Sequence, residues 1–306
     1  MSVATEAISN SSIDLPASRR KRRWLASLAR SPVGLLGAIL VMIMLIAAIA
    51  APLLAPHDPT ALNLKARLLP PFWHEEGDIT FLLGTDQLGR DLLSRLIYGA
   101  RISVTVGLAG VVVSMLVGVT LGLISGYVGG LLDTLISRML DTFMSIPFIL
   151  LALAVVGALG VGEGSNLLTL IAILGLTGWV TFARVIRGEV LSVKERDYVE
   201  AANSIGQSQQ GILIRHVLPN VTASIIVLST LQISTVIIAE SSLSFLGLGV
   251  QPPIVTWGIM LAEGRDHLAT SWWLSTFPGL AITIAVLGII LLGDWLRDVL
   301  DPRMKT

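Results

Sequence analysis

Long apolar stretches recur along the chain, and they limit the folds open to it. Six runs of apolar residues occupy positions 33–55, 102–126, 143–161, 167–182, 221–239 and 279–292. A helix needs about 20 apolar residues to cross the hydrocarbon core of a membrane, so the shorter runs reach this length only with their semi-polar flanks. Charged residues make up 14% of the chain, against about 25% in a soluble domain. The sequence therefore predicts an all-α membrane protein with six transmembrane helices, near 33–55, 101–126, 136–160, 167–188, 219–242 and 275–296.

The first apolar run has a second interpretation, as a cleaved signal peptide. Ala48-Ile49-Ala50 resembles the small-residue motif that precedes a cleavage site. However, the run that starts at Val33 is longer than the apolar part of a signal peptide, which has about 7–15 residues. We therefore expect the first run to be a membrane anchor.

Basic residues are distributed unevenly between the two sides that six spans would create. The N-terminal tail and the loops on its side hold 15 of the 21 lysines and arginines. The loop between the first two spans holds five more, but acidic residues from Asp58 to Asp91 accompany them. Because loops rich in Lys and Arg stay on the cytoplasmic side, both termini are expected in the cytoplasm.

The polar segment between the fourth and fifth spans predicts a short helix exposed to the cytoplasm. Asp197 is placed to cap the start of this helix, and Gly206 suits the position just after its end, where φ is positive. Apolar side chains recur at helical spacing between these two residues. They form one face, made of Tyr198, Ala201, Ala202 and Ile205.

A mere connector between two spans needs no apolar face in water, so the predicted face favours docking to a cytoplasmic partner. The candidate docking residues extend from Asp197 to the start of the fifth span. They are Asp197, Tyr198, Glu200, Ala201, Ala202, Ile205, Gly206, Leu218 and Pro219.

The segment before the second span predicts an amphipathic helix at the external membrane boundary, near residues 86–98. Asp86 is the expected N-cap, and Asp91 is expected to pair with Arg95 one turn later. An apolar face for the membrane boundary is formed by Leu92, Leu93, Leu96 and Ile97. The candidate residues for external gating or assembly are Asp86, Gly89, Arg90, Asp91 and Arg95.

Two features inside the apolar runs bear on packing. Gly118, Gly122 and Gly126 lie on one face of the second span, which predicts a close approach by a neighbouring helix. Glu240 lies within an apolar segment about 20 residues after Pro219, a distance that places it near the outer interface. We expect Glu240 to reach the interface or to pair with a neighbour rather than to bind substrate.

The chain lacks the motifs of common enzyme classes. Its four lysines are not preceded by glycine, so it contains no G-x-x-x-x-G-K-[ST] phosphate loop. The G-x-S-x-G and H-E-x-x-H motifs are absent, the four histidines are scattered, and there is no cysteine. The sequence therefore predicts no catalytic, cofactor-binding or metal-binding residues, and no nucleic-acid partner.

Four motifs together give the chain a specific resemblance from about Arg30 to the C-terminus. They are the segment 84–101, the stretch Glu200-Ala201-Ala202 with Gly206 and Leu218-Pro219, the segment 244–253 with Trp257-Gly258, and the segment 293–302. In this order they resemble the second permease subunit of bacterial peptide-type ABC importers, the dipeptide, oligopeptide and nickel group. The broader importer pattern has an aliphatic residue where this chain has His216. This departure makes membership of the other importer groups less expected.

The resemblance implies a type I ABC importer permease fold and a location in the bacterial cytoplasmic membrane. The implied partners are a homologous second permease subunit, two cytoplasmic ATPase subunits, an external solute-binding protein and membrane lipid. The polar segment would then be the EAA coupling loop, at about 190–220. The implied organisation is a cytoplasmic tail (1–32), a first span with an external loop and interfacial helix (33–100), and a five-helix permease core (101–306).

The implied substrate is a di- or oligopeptide or a similar small solute. Nickel chelates, opines and glycoside-type solutes stay open as alternatives within the same group. A secondary transporter is a further alternative, but it would be expected to show internal repeats and intramembrane ion ligands, of which Glu240 is the one candidate.

Overall fold

The chain folds into a bundle of helices in the computed structural model, which describes residues 27–158, 167–251 and 253–300. Five helices in this part are long and apolar enough to cross a membrane: α1 (Pro32–Ile49), α2 (Leu92–Val128), α5 (Leu167–Lys194), α7 (Leu218–Phe245) and α9 (Trp273–Leu300). Four shorter helices complete the main elements: α3 (Gly130–Ser145), α4 (Phe148–Ala158), α6 (Asp197–Ser204) and α8 (Trp257–Gly264). The predicted all-α membrane fold is confirmed.

The predicted third span, 136–160, is wrong as a single straight helix. It consists of α3 and α4, which meet at a bend of 103°. Pro147 lies at the bend, and Ile146 before it has extended backbone angles, as expected for a residue whose helical conformation is blocked by the following proline ring. The end of the predicted span lies outside the described residues, as do most of the N-terminal tail and residues 301–306.

The broken pair α3–α4 is nevertheless one membrane crossing, because α2 and α5 pack side by side in the same direction. Gly110 of α2 lies beside Leu174 of α5, and Gly126 lies beside Val190, so residue numbers rise together along the interface. The chain between two parallel neighbours must return to the end from which it started. The pair α3–α4 makes this return, and it brings the number of crossings to six.

The glycine ladder on α2 is the closest part of this interface, as the sequence predicts. A Cβ atom added to Gly118 would overlap the main-chain oxygen of Trp179, and one added to Gly126 would lie 2.8 Å from Val190 Cβ. Only glycine lets the two backbones approach this closely, and van der Waals contact is the main association force between helices in lipid.

The first and last spans form a second close pair, which is antiparallel. Gly34 and Gly37 of α1 lie against Trp295 and Leu292 of α9, and Gly288 of α9 lies against Leu40. The start of α1 is fixed by Ser31, whose hydroxyl accepts a hydrogen bond of 3.1 Å from the Gly34 N–H. This pairing brings the two ends of the described chain to the same end of the bundle, where α6 also lies.

Candidate functional site

The short helix α6 lies at the end of the bundle where α5 finishes and α7 begins. It starts after Arg196, whose extended backbone forms the N-cap without a side-chain hydrogen bond. The prediction that Asp197 caps this helix is therefore wrong, because Asp197 is already the first helical residue. Asp197 and Glu200 instead place negative charge in the first turn, where the helix dipole stabilises it.

One side of α6 is packed against the rest of the chain. Val199 and Ala202 are buried in a cluster with Val193 of α5 and with Ile212 and Val217, which precede α7. The predicted docking face is wrong in one member, since Ala202 points into this cluster rather than outward. Because α6 is bound to both α5 and α7, a force applied to it is transmitted to two spans.

The opposite side of α6 presents apolar side chains to solvent. Ile205 is 84% exposed and Tyr198 is 41% exposed, and Ala201 between them is also exposed. These three residues recur at i, i+3 and i+7, so they share one face. Glu200 is exposed beside them.

The turn after α6 depends on Gly206, as predicted. Its φ is +80°, a value that costs other residues about 1–2 kcal/mol. The Gly206 N–H donates to the Asn203 carbonyl at 3.0 Å, and the Gln207 N–H donates to the Ala202 carbonyl at 3.1 Å. These bonds satisfy carbonyl groups at the helix end, and a Cβ on Gly206 would meet no atom within 4 Å.

His216 contacts both the residue after this turn and the first turn of α6. Its Nε2 atom lies 3.1 Å from the Oε1 atom of Gln207, and its ring centroid lies 6.4 Å from that of Tyr198. An aliphatic residue could not form the hydrogen bond to Gln207. Pro219 follows in the first turn of α7, directly after a π-helical turn at Leu213–Val217, and Leu218 packs against the buried cluster around Val217.

At the other end of the bundle, Asp86 organises a tight loop before α2. Its Oδ1 atom accepts hydrogen bonds from the Leu88 N–H at 2.8 Å and the Arg90 N–H at 3.0 Å. Gly89 in this loop has φ +72°, and a Cβ there would overlap the backbone of Asn63. The loop is therefore fixed both by the Asp86 carboxylate and by the close approach of another segment.

Four charged side chains form an ion-pair cluster above the start of α2. The Oδ2 atom of Asp86 pairs with Arg90 Nε at 2.6 Å and also with Arg95. Glu263, at the end of α8, pairs with Arg90 at 3.2 Å and with Arg95 at 2.8 Å. Arg95 is 2% exposed, so the cluster neutralises a buried guanidinium and ties both α8 and the loop before α2 to the start of α2.

Several predictions about this segment are wrong in detail. The N-cap of α2 is Asp91, not Asp86, and its side chain accepts a hydrogen bond of 3.0 Å from the Ser94 N–H. The Oδ2 atom of Asp91 lies 3.4 Å from the Nδ1 atom of His57. Arg95 pairs with Asp86 and Glu263 instead of with Asp91. The segment 92–98 is the first part of the long helix α2 rather than a separate helix on the membrane surface. Leu92, Ser94 and Arg95 are buried, and the other side chains of the segment are partly exposed.

The sequence does not single out Glu263, because the residues that it pairs with are distant along the chain. Arg90 and Glu263 are separated by 173 positions, and α8 was not among the predicted helices. The helix is held in place by Trp257, whose indole N–H donates to the Leu96 carbonyl at 2.9 Å. The available signal was the Trp257-Gly258 motif, which indicated an ordered loop but not the acid six residues later.

Glu240 is fully buried in the last third of α7, toward the end of the bundle that carries the ion-pair cluster. Its carboxylate accepts a hydrogen bond of 2.8 Å from Ser244, and Ser241 lies 3.4 Å away. Of the two expectations for Glu240, pairing with neighbouring side chains is correct and reaching the membrane interface is wrong.

Within residues 27–158, 167–251 and 253–300, no three His, Cys, Asp or Glu side chains are grouped in a way that could hold a metal ion.

These features define the class of the protein: it is an all-α, multi-span membrane protein with a short polar helix between two of its spans. Residues 118–306 match the family described as the binding-protein-dependent transport system inner membrane component, and residues 21–71 match the N-terminal transmembrane domain of oligopeptide transport permease C. The chain belongs to the binding-protein-dependent transport family, and it is a multi-pass inner-membrane permease subunit of an ABC importer.

Similar proteins cover nearly the whole chain. The di/tripeptide transport system permease protein DppC of Pseudomonas aeruginosa is 45% identical over 273 residues, 89% of each chain. The dipeptide transport system permease protein DppC of Escherichia coli strain K12 is 43% identical over 278 residues, 90% of this chain and 91% of the relative. A putative peptide transport system permease protein of Brucella suis is 39% identical over 270 residues, 88% of each chain.

Proposed function

We propose that this permease subunit carries di- and tripeptides, and related short peptides, across the bacterial cytoplasmic membrane. The support for the substrate is the set of relatives, whose names specify dipeptide, di/tripeptide or peptide transport.

We propose an orientation with both termini and α6 in the cytoplasm. Its support is the excess of basic residues on that side.

We propose that α6 binds an ATPase subunit. The observation that carries this proposal is the exposed face of Tyr198, Ala201 and Ile205 on a helix whose other side is packed against α5 and α7. Ala201 is small enough to let a partner close over the face, and the two larger side chains at its ends would fill pockets in that partner. Leu218 and Pro219 support the docking helix from behind, through the start of α7.

The proposed assembly has five or more chains. This subunit would pair with a homologous permease, and two ATPase subunits would bind the cytoplasmic surface that the two permeases form. A solute-binding protein would deliver peptide at the external end. ATP hydrolysis is assigned to the ATPase subunits, because this chain contains no phosphate-loop motif, and we propose no enzymatic activity for the chain itself.

The proposed mechanism couples the ATPases to the spans through α6. When the ATPases close, α6 would move with them and pull the ends of α5 and α7, to which Val199 and Ala202 attach it. The spans would then alternate between outward-open and inward-open arrangements, a rearrangement of rigid elements. The α2–α5 interface is too closely packed to slide freely, so we expect these two helices to move together.

We propose that the ion-pair cluster keeps the elements at the external end in fixed relative positions during this cycle. It connects three elements through Asp86, Arg90, Arg95 and Glu263, and Gly89 and Asp91 shape the loop and helix start that carry it. The proposed units remain 1–32, 33–100 and 101–306. Since α2 (Leu92–Val128) runs continuously across residue 100, the second unit would move with the third.

Substitution of Gly206 by leucine tests the docking proposal. The folded bundle has open space at this position, so the change strains the turn by about 1–2 kcal/mol and adds bulk on the docking side without disturbing the spans. We expect Gly206→Leu to insert normally but to lose most co-purified ATPase and most peptide-stimulated ATP hydrolysis.

The matched control is Gly247→Leu. Gly247 also has φ +80° and open space around it, but it lies at the other end of the bundle. This variant should keep its ATPase subunits. Full ATPase association in Gly206→Leu, or equal losses in both variants, would contradict docking through α6.

A further inference from the structure

A pocket opens at the external end of the bundle, apart from both sites described above. It has a volume of about 880 Å³ and is lined by the segments 52–60, 98–105 and 253–255. This volume lies within the range of small-ligand sites, about 300–1,000 Å³. The ion-pair cluster does not line it: Asp86, Arg90, Arg95 and Glu263 are absent from its walls.

Arg101, Asp58 and His57 are the charged or basic side chains that line the pocket. His57 Nδ1 lies 3.4 Å from Asp91 Oδ2, which leaves Arg101 and Asp58 to bind a ligand. Arg101 lines one wall and is exposed, and within the described residues its guanidinium forms no ion pair or hydrogen bond. The other arginines near this end are occupied: Arg90 and Arg95 by the cluster, Arg67 by the Gln87 carbonyl at 2.8 Å and Arg265 by Asp266 at 3.2 Å. A guanidinium suits a carboxylate because it can donate two parallel hydrogen bonds.

Asp58 supplies the negative charge. Its Oδ1 atom accepts hydrogen bonds from the Thr60 N–H at 2.7 Å and the Thr60 hydroxyl at 2.6 Å. These bonds hold the side chain in place, and the bond from the Thr60 hydroxyl in particular lowers the pKa of the Asp58 carboxyl. The carboxylate is therefore ionised at neutral pH, and no basic side chain in the described part of the chain is paired with it.

One part of the pocket wall is apolar. Ile102, Ile254 and Val255 line it, and such a wall accepts different side chains because it offers no directional partner. An extended dipeptide is about 7 Å long and carries an ammonium group at one end and a carboxylate at the other. The pocket thus offers a partner for each terminal charge and leaves the peptide side chains unspecified.

We propose that this pocket is a receiving site for zwitterionic di- and tripeptides, in which Arg101 binds the peptide carboxylate and Asp58 binds the peptide ammonium group. This inference rests on the proposed peptide transport. It adds that the permease itself recognises both peptide ends when the solute-binding protein releases its cargo. The exposed side of α2 continues from the pocket through Thr105, Leu108 and Val112 and gives the peptide a surface along which to proceed.

Photo-crosslinking of a dipeptide tests the proposal directly. The probe is alanyl-p-benzoylphenylalanine, added to the complete permease–ATPase complex in lipid nanodiscs without the solute-binding protein. We expect crosslinks in the segments 52–60, 98–105 and 253–255, and we expect excess Ala-Ala to suppress them. Ala-Ala that is N-acetylated and C-amidated should not compete, because it lacks both charges.

Four variants separate the pocket from the general charge at this end. Arg101→Gln and Asp58→Asn should each reduce the crosslink yield about tenfold, the value expected for loss of one charged hydrogen-bond partner. Arg265→Gln and Asp266→Asn remove an exposed pair outside the pocket and should leave the yield unchanged. Crosslinks outside the three segments, or equal yields in all four variants, would overturn the proposal.

Failure of this site can be distinguished from failure of the proposed function. Uptake is measured separately, in proteoliposomes that contain the same complex and the solute-binding protein. ATP-driven uptake of the same dipeptide there, without crosslinks in the pocket, would overturn the receiving site alone. Crosslinks in the pocket of a complex that shows no ATP-driven uptake of peptide would contradict the transport function and leave a peptide-binding site.

Discussion

Arg95 shows how a single charged residue is accommodated at the end of the bundle where α2 begins. A buried guanidinium is costly unless acids and hydrogen-bond acceptors surround it. Asp86 reaches it from the loop before α2, and Glu263 reaches it from α8. With Arg90 included, the cluster contains two positive and two negative groups, so its net charge is zero.

Substitution of Arg95 by glutamine should destabilise the protein strongly. The change leaves Asp86 and Glu263 with one arginine between them in a largely buried site, and breaking a buried ion pair costs about 3–5 kcal/mol. The thermal unfolding midpoint of the purified complex measures the loss. The control is Arg138→Gln, because the Arg138 side chain is 81% exposed and its pair with Asp141 spans 3.9 Å, a kind of pair worth about 1 kcal/mol or less. Equal midpoints for the two variants would contradict a structural role for the cluster.

The sequence located three residues of this cluster, Asp86, Arg90 and Arg95, but neither Glu263 nor the pairing among them. Spacing of four residues favoured an Asp91–Arg95 pair, yet the free N–H groups at the start of α2 required a cap and Asp91 filled that role. Local spacing also cannot reveal Glu263, which the fold brings from another element. For the same reason, the α6 face was predicted correctly at Tyr198 and Ile205 and wrongly at Ala202, since only tertiary packing decides which side of a short helix is covered.

At the scale of elements, the α2–α5 pair is the central contact of the bundle. The two helices lie parallel, and Gly118, Gly122 and Gly126 of α2 receive the backbone of α5. Ser114 adds a hydrogen bond of 3.0 Å from its hydroxyl to the Gly175 carbonyl. Such polar contacts between helices add about 0.6 kcal/mol on average in membrane proteins, so close packing is the larger contribution.

Alanine substitution should lower stability at one glycine of the bundle and not at another. At Gly118 a Cβ overlaps the backbone of Trp179, and we expect Gly118→Ala to destabilise the protein by about 1–3 kcal/mol through overpacking. At Gly188 of α5 a Cβ meets no atom within 4 Å, so Gly188→Ala should be neutral or stabilising by up to about 1 kcal/mol. Thermal unfolding of both variants checks the pair. A stable Gly118→Ala would show that the α2–α5 interface is looser than described.

Apolar runs predict the number and order of the spans, but hydropathy does not reveal where the helix axis changes direction within a run. Pro147 lies inside a mostly apolar run that predicts one helix, whereas the chain turns by 103° at this point. The helix α8 was missed because it has only eight residues and depends on distant contacts. Thr256 caps it, and Trp257 fixes it to α2.

At the scale of the whole molecule, α2 connects the two candidate sites. Its 37 residues make a helix about 55 Å long at 1.5 Å per residue. Its first turn carries Arg95 of the external cluster and its last turns pack on the part of α5 that holds α6. In the proposed mechanism, a rigid helix of this length would carry a movement at α6 to the opposite end of the bundle.

Single cysteines test the proposed orientation. The chain contains no native cysteine, so Ser204→Cys in α6 and Glu75→Cys in the segment before α2 each introduce one thiol at an exposed position. In intact cells, we expect a membrane-impermeant maleimide to label Glu75→Cys and to label Ser204→Cys only after the membrane is opened. The opposite pattern would place α6 outside the cell, where no cytoplasmic ATPase could bind it.

Transport in a defined system is the most direct test of the central claim, that this chain is the permease of an ATP-driven peptide importer. Proteoliposomes would contain this subunit, its companion permease, the two ATPases and the solute-binding protein, and uptake of radiolabelled Ala-Ala would be measured. The account predicts accumulation only when ATP is present on the ATPase side and the binding protein is on the opposite side. Accumulation that follows an ion gradient and needs neither ATP nor the ATPases would contradict it.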